Sequence, residues 1–124
     1  MDKPTLVLGA SLKPDRFSYS CVKTLVSANV PVHAIGLREG SIESTPVFTG
    51  FRQLHNIHTV TLYLGIENQK HWYDYILKLK PVRVFFNPGT ENPEFEETLK
   101  AEGIETIEDC TIMMVQGDRF KNKG

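Results

Sequence analysis

Two cations, three hydroxyls and a glycine lie together near the start of the chain, in Gly9-Ala10-Ser11-Leu12-Lys13-Pro14-Asp15-Arg16-Phe17-Ser18-Tyr19. The short apolar run Thr5-Leu6-Val7-Leu8 precedes them, and a helical pattern follows. This is chemistry suited to a phosphate. A glycine admits close backbone approach, and hydroxyls and amides donate hydrogen bonds. A helix N-terminus carries partial positive charge, and Lys13 and Arg16 neutralise an anion. Only one of the three glycines of the dinucleotide fingerprint G-x-G-x-x-G is present, so a related nucleotide held differently is expected.

Ligands of an open parallel sheet sit beyond the carboxyl ends of its strands. Residues just after other strand candidates therefore join the candidate site: Gly36-Leu37-Arg38, Gly65, and Asn87-Pro88-Gly89. Singly, these glycines need serve only turns; their convergence on one edge favours a site. Asn87 and Thr90 equally suit the turn into a helix cap at Asn92. Arg38 suits a ribose bearing a phosphate, whereas the adjacent Glu39 would suit a free ribose; a solvated charge pair is the plain alternative.

The remaining reactive residues assemble into nothing recognisable. His55 and His58 are three apart but lack a third ligand, so no metal site is expected. His33 and His71 have no evident partners. Cys21 falls on the apolar stripe of a helix, and Cys110 reads as a structural thiol, both free. The run Glu94 to Glu97 reads as dipole complement on a solvated face. No catalytic residue is assigned, and an enzyme is the less favoured class.

The elements that position these residues alternate from end to end. Strands are expected at Thr5–Gly9, Val32–Gly36, Thr59–Leu64, Arg83–Phe86 and Glu105–Glu108, several of them continuous apolar runs suited to a sheet covered on both faces. A first helix is expected from Tyr19 to Ala28 with Ser18 as N-cap, and another from about Asn68 to Leu79. The last clear helix has Asn92 as cap, Pro93 as first residue and Gly103 as stop. Ser41–Gly50 reads as a loop with room for an edge strand at Val47-Phe48. Phe51, Leu54 and Ile57 suit one or two helical turns, and Thr111–Val115 a short strand or helix. Lys121 to Gly124 should fray. The pattern predicts a three-layer Rossmann-type α/β fold: five parallel strands in the order 3-2-1-4-5, with helices on both faces.

The 124 residues suffice for one domain, with an ordered core over about 4–116. A net charge of -1 argues against a nucleic-acid or membrane partner, so any anion site must be local. No apolar run reaches membrane-spanning length. A short N-terminal stretch without signal-peptide character and two unpaired cysteines suggest the cytoplasm. A protein partner or homo-oligomer is left open.

The run Gly9-Ala10-Ser11-x-Lys13-Pro14-Asp15-Arg16-x-Ser18-Tyr19 resembles the signature of the small single-domain CoA-binding proteins, relatives of the CoA-binding domain of succinyl-CoA synthetase alpha subunits. Gly89-Thr90-Glu91-Asn92, Ala101-Glu102-Gly103-Ile104 and Glu108-Asp109-Cys110 occupy the places of the family's later motifs, so the resemblance extends to about Val115. It implies a Rossmann-type domain that binds coenzyme A or an acyl-CoA without catalysis of its own. Two departures are present: Gly36-Leu37 stands where Asn-Pro is common, and Glu108-Asp109-Cys110 where Asp-Arg-Cys is favoured. An NADP-dependent oxidoreductase-like binder and a ligand-free scaffold of the same fold are the alternatives.

Overall fold

The computed structural model describes residues 3–121. Seven strands form one sheet: β1 (Thr5–Ala10), β2 (Val32–Gly36), β3 (Gly40–Ile42), β4 (Thr45–Phe48), β5 (Thr59–Leu62), β6 (Arg83–Phe86) and β7 (Glu105–Glu108). The order across the sheet is β3-β4-β2-β1-β5-β6-β7. All pairings are parallel except that of β3 with β4. Five helices accompany it: α1 (Phe17–Ser27), α2 (Ile66–Gln69), α3 (Tyr73–Leu79), α4 (Pro93–Ala101) and α5 (Thr111–Gln116), with a 3-10 turn at Lys70–Trp72 between α2 and α3.

The expected five-stranded sheet of order 3-2-1-4-5 is corrected. The segment at Thr59 pairs directly with β1, Thr5 opposite Thr59, and does not lie outside β2. The outer place belongs to β4, which pairs with β2 at Ala34–Val47 and Ile35–Phe48. The sequence offers this segment as a short edge strand at Val47-Phe48 and leaves it out of the strand order; Pro46, which cannot donate to a ladder, weakens its strand signal. With β4 counted, the parallel strands run 3-2-1-4-5-6, the doubly wound order, and the direction in which successive strands are added reverses between β1 and β5.

Two apolar layers cover the sheet. On one face Val7, Ala34, Val47 and Phe85 pack with Cys21, Val22 and Leu25 of α1 and Met114 of α5. On the other, Leu6, Leu8, Ile35, Val60, Leu62 and Phe86 pack with Ile76 of α3 and Phe95 and Leu99 of α4. The expected helical turns around Phe51–Ile57 do not form. Gly50 and Asn56 adopt left-handed backbone conformations there, and Ile57 and Leu54 reach the core from an irregular segment. The expected helix at Asn68 begins two residues earlier, and Lys80 ends α3 with a φ of 51°. Of the tail expected to fray, residues 122–124 lie outside the described residues; Phe120 is buried against Phe85.

Arg83 is fully buried at the start of β6. Its guanidinium donates to Thr59 Oγ1 at 2.8 Å and to the Phe120 carbonyl at 2.9 Å. It also lies over the rings of Phe120 and Phe85. Burial pushes its pKa down to about 10, and the negative charge of Glu105 works against that shift.

Asn92 caps α4 as the sequence predicts, its Oδ1 accepting from Phe95 N–H at 3.2 Å. Glu96 closes the box by accepting from Asn92 N–H at 3.3 Å. Glu96 is thus buried rather than solvated, which corrects the reading of the Glu94–Glu97 run. Its carboxyl is pushed up by burial first and then by the hydrogen bond that its protonated form donates to the Glu108 carboxylate. The Asn92 Nδ2 also donates to Gln69 Oε1 and Tyr73 Oη. Replacing Asn92 with alanine removes the cap and strips partners from two further groups. Such a change should cost about 2–4 kcal/mol. Urea unfolding would show it as a lowered midpoint at constant slope.

Candidate nucleotide site at the carboxyl edge

β1, β2, β5 and β6 are mutually parallel, so the segments following them meet at one edge. The structure thereby brings together the loop from Gly9 to Tyr19, Gly36-Leu37-Arg38, Gly65 and Asn87-Pro88-Gly89. Their roles within that edge differ.

Gly9 has a φ of +98° and sits in a bulge, where the register with β2 slips between Leu8 and Ala10. A Cβ there would lie 2.7 Å from the Tyr63 carbonyl oxygen. Gly36 is held by a tighter approach: its Cβ would lie 2.0 Å from the Ala10 carbonyl oxygen. Both glycines therefore let the ends of β1, β2 and β5 close together. Leu12 is seated against Gly40 of β3 in the same way, its Cδ1 at 2.8 Å from an added Cβ. The β3–β4 hairpin thus braces the loop.

The loop is folded on itself. Ser11 N–H donates to Ser18 Oγ at 3.0 Å, Lys13 N–H to Ser11 Oγ at 3.1 Å, and Arg16 N–H to the Lys13 carbonyl at 3.1 Å. Ser18 is not the N-cap the sequence suggests. α1 begins at Phe17, with Arg16 at the cap position, and the buried Ser18 hydroxyl reaches back to clasp Ser11. As a result α1 has no side-chain cap and no acidic residue in its first turn. No side chain caps its leading N–H groups, and the first turn of this 11-residue helix carries no acid to offset its positive end, with Asp15 just before the cap residue. Lys13, Pro14, Asp15 and Arg16 are exposed, and Tyr19 is half-buried. Among the described residues neither Lys13 nor Arg16 forms a salt bridge.

Two large apolar side chains at this edge are exposed: Leu37, just after β2, at 96%, and Phe17, the first residue of α1, at 78%. Arg38 and Glu39 are both exposed. Gly65 stands at the head of α2 with a φ of -67°, and a Cβ there would meet open space. Open space also surrounds Gly89, whose φ of +92° belongs to the turn and whose N–H donates to Glu91 Oε1.

Asn87 is a framework residue. It is buried, its Nδ2 donating to Thr61 Oγ1 and the Leu62 carbonyl while its Oδ1 accepts from Thr111 N–H. Thr90 Oγ1 donates to the Asn87 carbonyl, and Gln69 Nε2 to the carbonyls of Leu64 and Thr90. This buried network ties β5, β6, α2 and α5 beneath the edge and fixes the Pro88-Gly89 turn. Gln69, Thr61 and Thr111 were not legible as part of it, because their partners are distant in sequence.

Cys21 is buried under α1, and burial pushes its thiol up to about 12. The buried Tyr63 hydroxyl makes no hydrogen bond of good geometry; the Cys21 thiol and Thr61 hydroxyl are its polar neighbours. Burial raises its pKa as well. Cys110 is half-exposed, against the expectation of a sealed structural thiol. A thiol reagent should therefore label Cys110 in the native protein and spare Cys21 until unfolding, as peptide mass mapping would show. Because the unfolded Cys21 ionises near 9 and the folded one near 12, its contribution to stability should fall as pH rises through that window.

No group of three or more metal-ligating side chains occurs among the described residues. No helix among them is long and apolar enough to cross a membrane.

A doubly wound, mostly parallel sheet covered by helices on both faces is a Rossmann-type α/β domain. The model of the CoA binding domain matches residues 3–116, and the chain belongs to that family. No curated protein matches it. A crystal structure of an uncharacterized protein is 38% identical, covering 97% of this chain and 99% of that one with a TM-score of 0.93. A Thermus thermophilus protein, cell-free ID.343, is 20% identical over 95% of this chain and 90% of its own, TM-score 0.81. A hypothetical protein from Pyrococcus horikoshii OT3 is 18% identical over 94% and 82%, TM-score 0.82. The last two share the fold.

Proposed function

We propose that the chain is a non-catalytic CoA- or acyl-CoA-binding protein. The carrying observation is the N-terminus of α1: no side-chain cap, no acid in its first turn, and Lys13 and Arg16 beside it, outside any salt bridge among the described residues. In this reading the diphosphate lies against Gly9, Ala10 and Ser11 and the first turn of α1. Lys13 and Arg16 are its cationic partners, and Pro14 shapes the loop. The Ser11 N–H is already held by Ser18, so the free donors are those of the helix turn around Phe17 to Tyr19. The adenosine end lies near Gly36, Leu37 and Arg38. The pantetheine runs past Gly65 and the Asn87-Pro88-Gly89 turn, with Asn87 supporting the wall from beneath. The family supports a CoA-related ligand. The cations, hydroxyls and framework amides gathered there support binding rather than turnover. Two thiols kept free favour the cytoplasm.

A second reading rests on Arg38, exposed beyond β2 where a phosphorylated ribose would sit, and would make the ligand NADP. A thermal scan with CoA, dephospho-CoA, NAD and NADP separates the two. CoA at 100-fold above its Kd should stabilise the fold by about 2.7 kcal/mol, a clear rise in Tm. A weaker effect of dephospho-CoA would assign the 3′-phosphate to Arg38. A shift with NADP alone would replace the CoA reading, and no shift with any of the four would leave a ligand-free scaffold.

A further inference from the structure

Cys110 leaves the sheet at the same edge as the loop of Lys13 and Arg16. β7 runs parallel to β6 with Glu108 opposite Phe86, so Asp109-Cys110 follows β7 beside the Asn87-Pro88-Gly89 turn. The next residue pins it there. Thr111 N–H donates to Asn87 Oδ1 at 2.9 Å, and the hydroxyls of Thr111 and Thr61 lie 2.8 Å apart. α5, which starts at Thr111, packs with α1 on one face of the sheet, and both helices begin at this edge. Cys110 also belongs to a cluster with Cys21 and the buried, poorly partnered Tyr63 hydroxyl. Burial raises the pKa of both, and Cys110 adds to each rise. Of the two thiols, only Cys110 belongs to a residue that solvent reaches. The reach of a CoA matches this place. Neighbouring strands lie about 4.8 Å apart, so the three spacings from the end of β1 across β5 and β6 to β7 span about 14 Å. The chain of about thirteen bonds from the CoA diphosphate to its thiol extends about 15 Å, at the ~3.5 Å per three bonds of an extended backbone. Its way is clear, since an added Cβ at Gly65 or Gly89 meets nothing within 4 Å.

We propose that Cys110 meets the sulfur of a CoA seated with its diphosphate at α1, and captures oxidised CoA as a mixed disulfide. This capture rests on the CoA reading above and adds to it the oxidation state of the ligand that the site retains. The co-reactant is the symmetrical disulfide of CoA. The Cys110 thiol loses its proton, and its sulfur attacks the nearer sulfur of that disulfide. The S–S bond of the ligand breaks as a new one joins Cys110 Sγ to the pantetheine sulfur. The second CoA leaves as a thiolate and takes up the proton. One disulfide is exchanged for another, so no further oxidant is needed.

Two measurements on the full chain separate this capture from the reading it rests on. Reduced CoA should raise Tm, which reports binding alone. Incubation with CoA disulfide should add the mass of one CoA less two hydrogens, and peptide mapping should place it on Cys110 and not on Cys21. Dithiothreitol should remove it. Pantethine, the same disulfide without the nucleotide, serves as the control. CoA disulfide should react at least about tenfold faster, because binding brings the sulfurs together. Lys13→Ala with Arg16→Ala should erase that advantage and leave the pantethine rate unchanged. Cys110→Ser should yield no adduct. If reduced CoA raises Tm but its disulfide reacts no faster than pantethine, the capture is overturned and the binding reading stands. An internal Cys21–Cys110 disulfide formed in place of the adduct also overturns the capture. No rise in Tm together with no rate advantage overturns both.

Discussion

Gly36→Ala should destabilise the protein by about 3 kcal/mol or more, the upper end of what overpacking costs. Gly36 and Ala10 are register partners at the ends of β2 and β1, and the new methyl would lie 2.0 Å from the Ala10 carbonyl oxygen. That neighbour is backbone in the middle of a sheet, so relief requires parting the two central strands. Val47 of β4 waits at 3.4 Å on the other side, which leaves no retreat. Urea unfolding should show a large fall in midpoint, and CoA should stabilise the variant poorly because the loop it would bind is displaced. Gly65→Ala is the counterpart. Its φ is ordinary and its Cβ meets nothing, so stability should stay within about 0.5 kcal/mol of the parent. A fall in CoA affinity at Gly65, without loss of stability, would mark ligand passing over open space. Unchanged affinity would move the pantetheine off that path.

This contrast shows what was legible in the sequence. Strand ends and turns announce themselves through glycine, so the edge could be assembled before its geometry was known. Whether a glycine answers to a ligand or to a neighbouring strand is decided by tertiary distance, which sequence does not carry. Gly9 and Gly36 prove to be structural contacts and Gly65 an open one. Ser18 shows the same limit. A serine before an apolar stripe is a good N-cap by local rules, yet its hydroxyl has the Ser11 amide within reach and takes it. The helix then starts earlier, and the absence of a cap becomes the informative feature. β4 was legible only as an optional edge strand at Val47-Phe48, because Pro46 contradicts local strand chemistry. Pro46 is tolerated within the β3–β4 hairpin at the sheet's edge, and leaving β4 out of the count displaced the strand order. Arg83 gives no local signal of burial, since Thr59 and Phe120, which receive its hydrogen bonds, come from β5 and the far end of the chain.

The largest effect on ligand binding should come from removing both loop cations. Each charge-assisted hydrogen bond to a phosphate contributes about 1.5–3 kcal/mol, so Arg16→Ala should weaken CoA by roughly one to two orders of magnitude. Lys13→Ala with Arg16→Ala should weaken it by about two to four orders if the two contacts are independent. Both side chains are exposed and, among the described residues, outside any salt bridge, so the unliganded protein should melt close to the parent temperature. That separation matters, because it attributes a lost shift to the ligand rather than to the fold. The helix end remains in the double variant, and its open N–H groups should retain weak binding that salt suppresses further. Isothermal titration at two salt concentrations measures both parts. If the double variant binds CoA as the parent does, the diphosphate lies elsewhere along the edge, and the exposed cations of the loop are merely solvated.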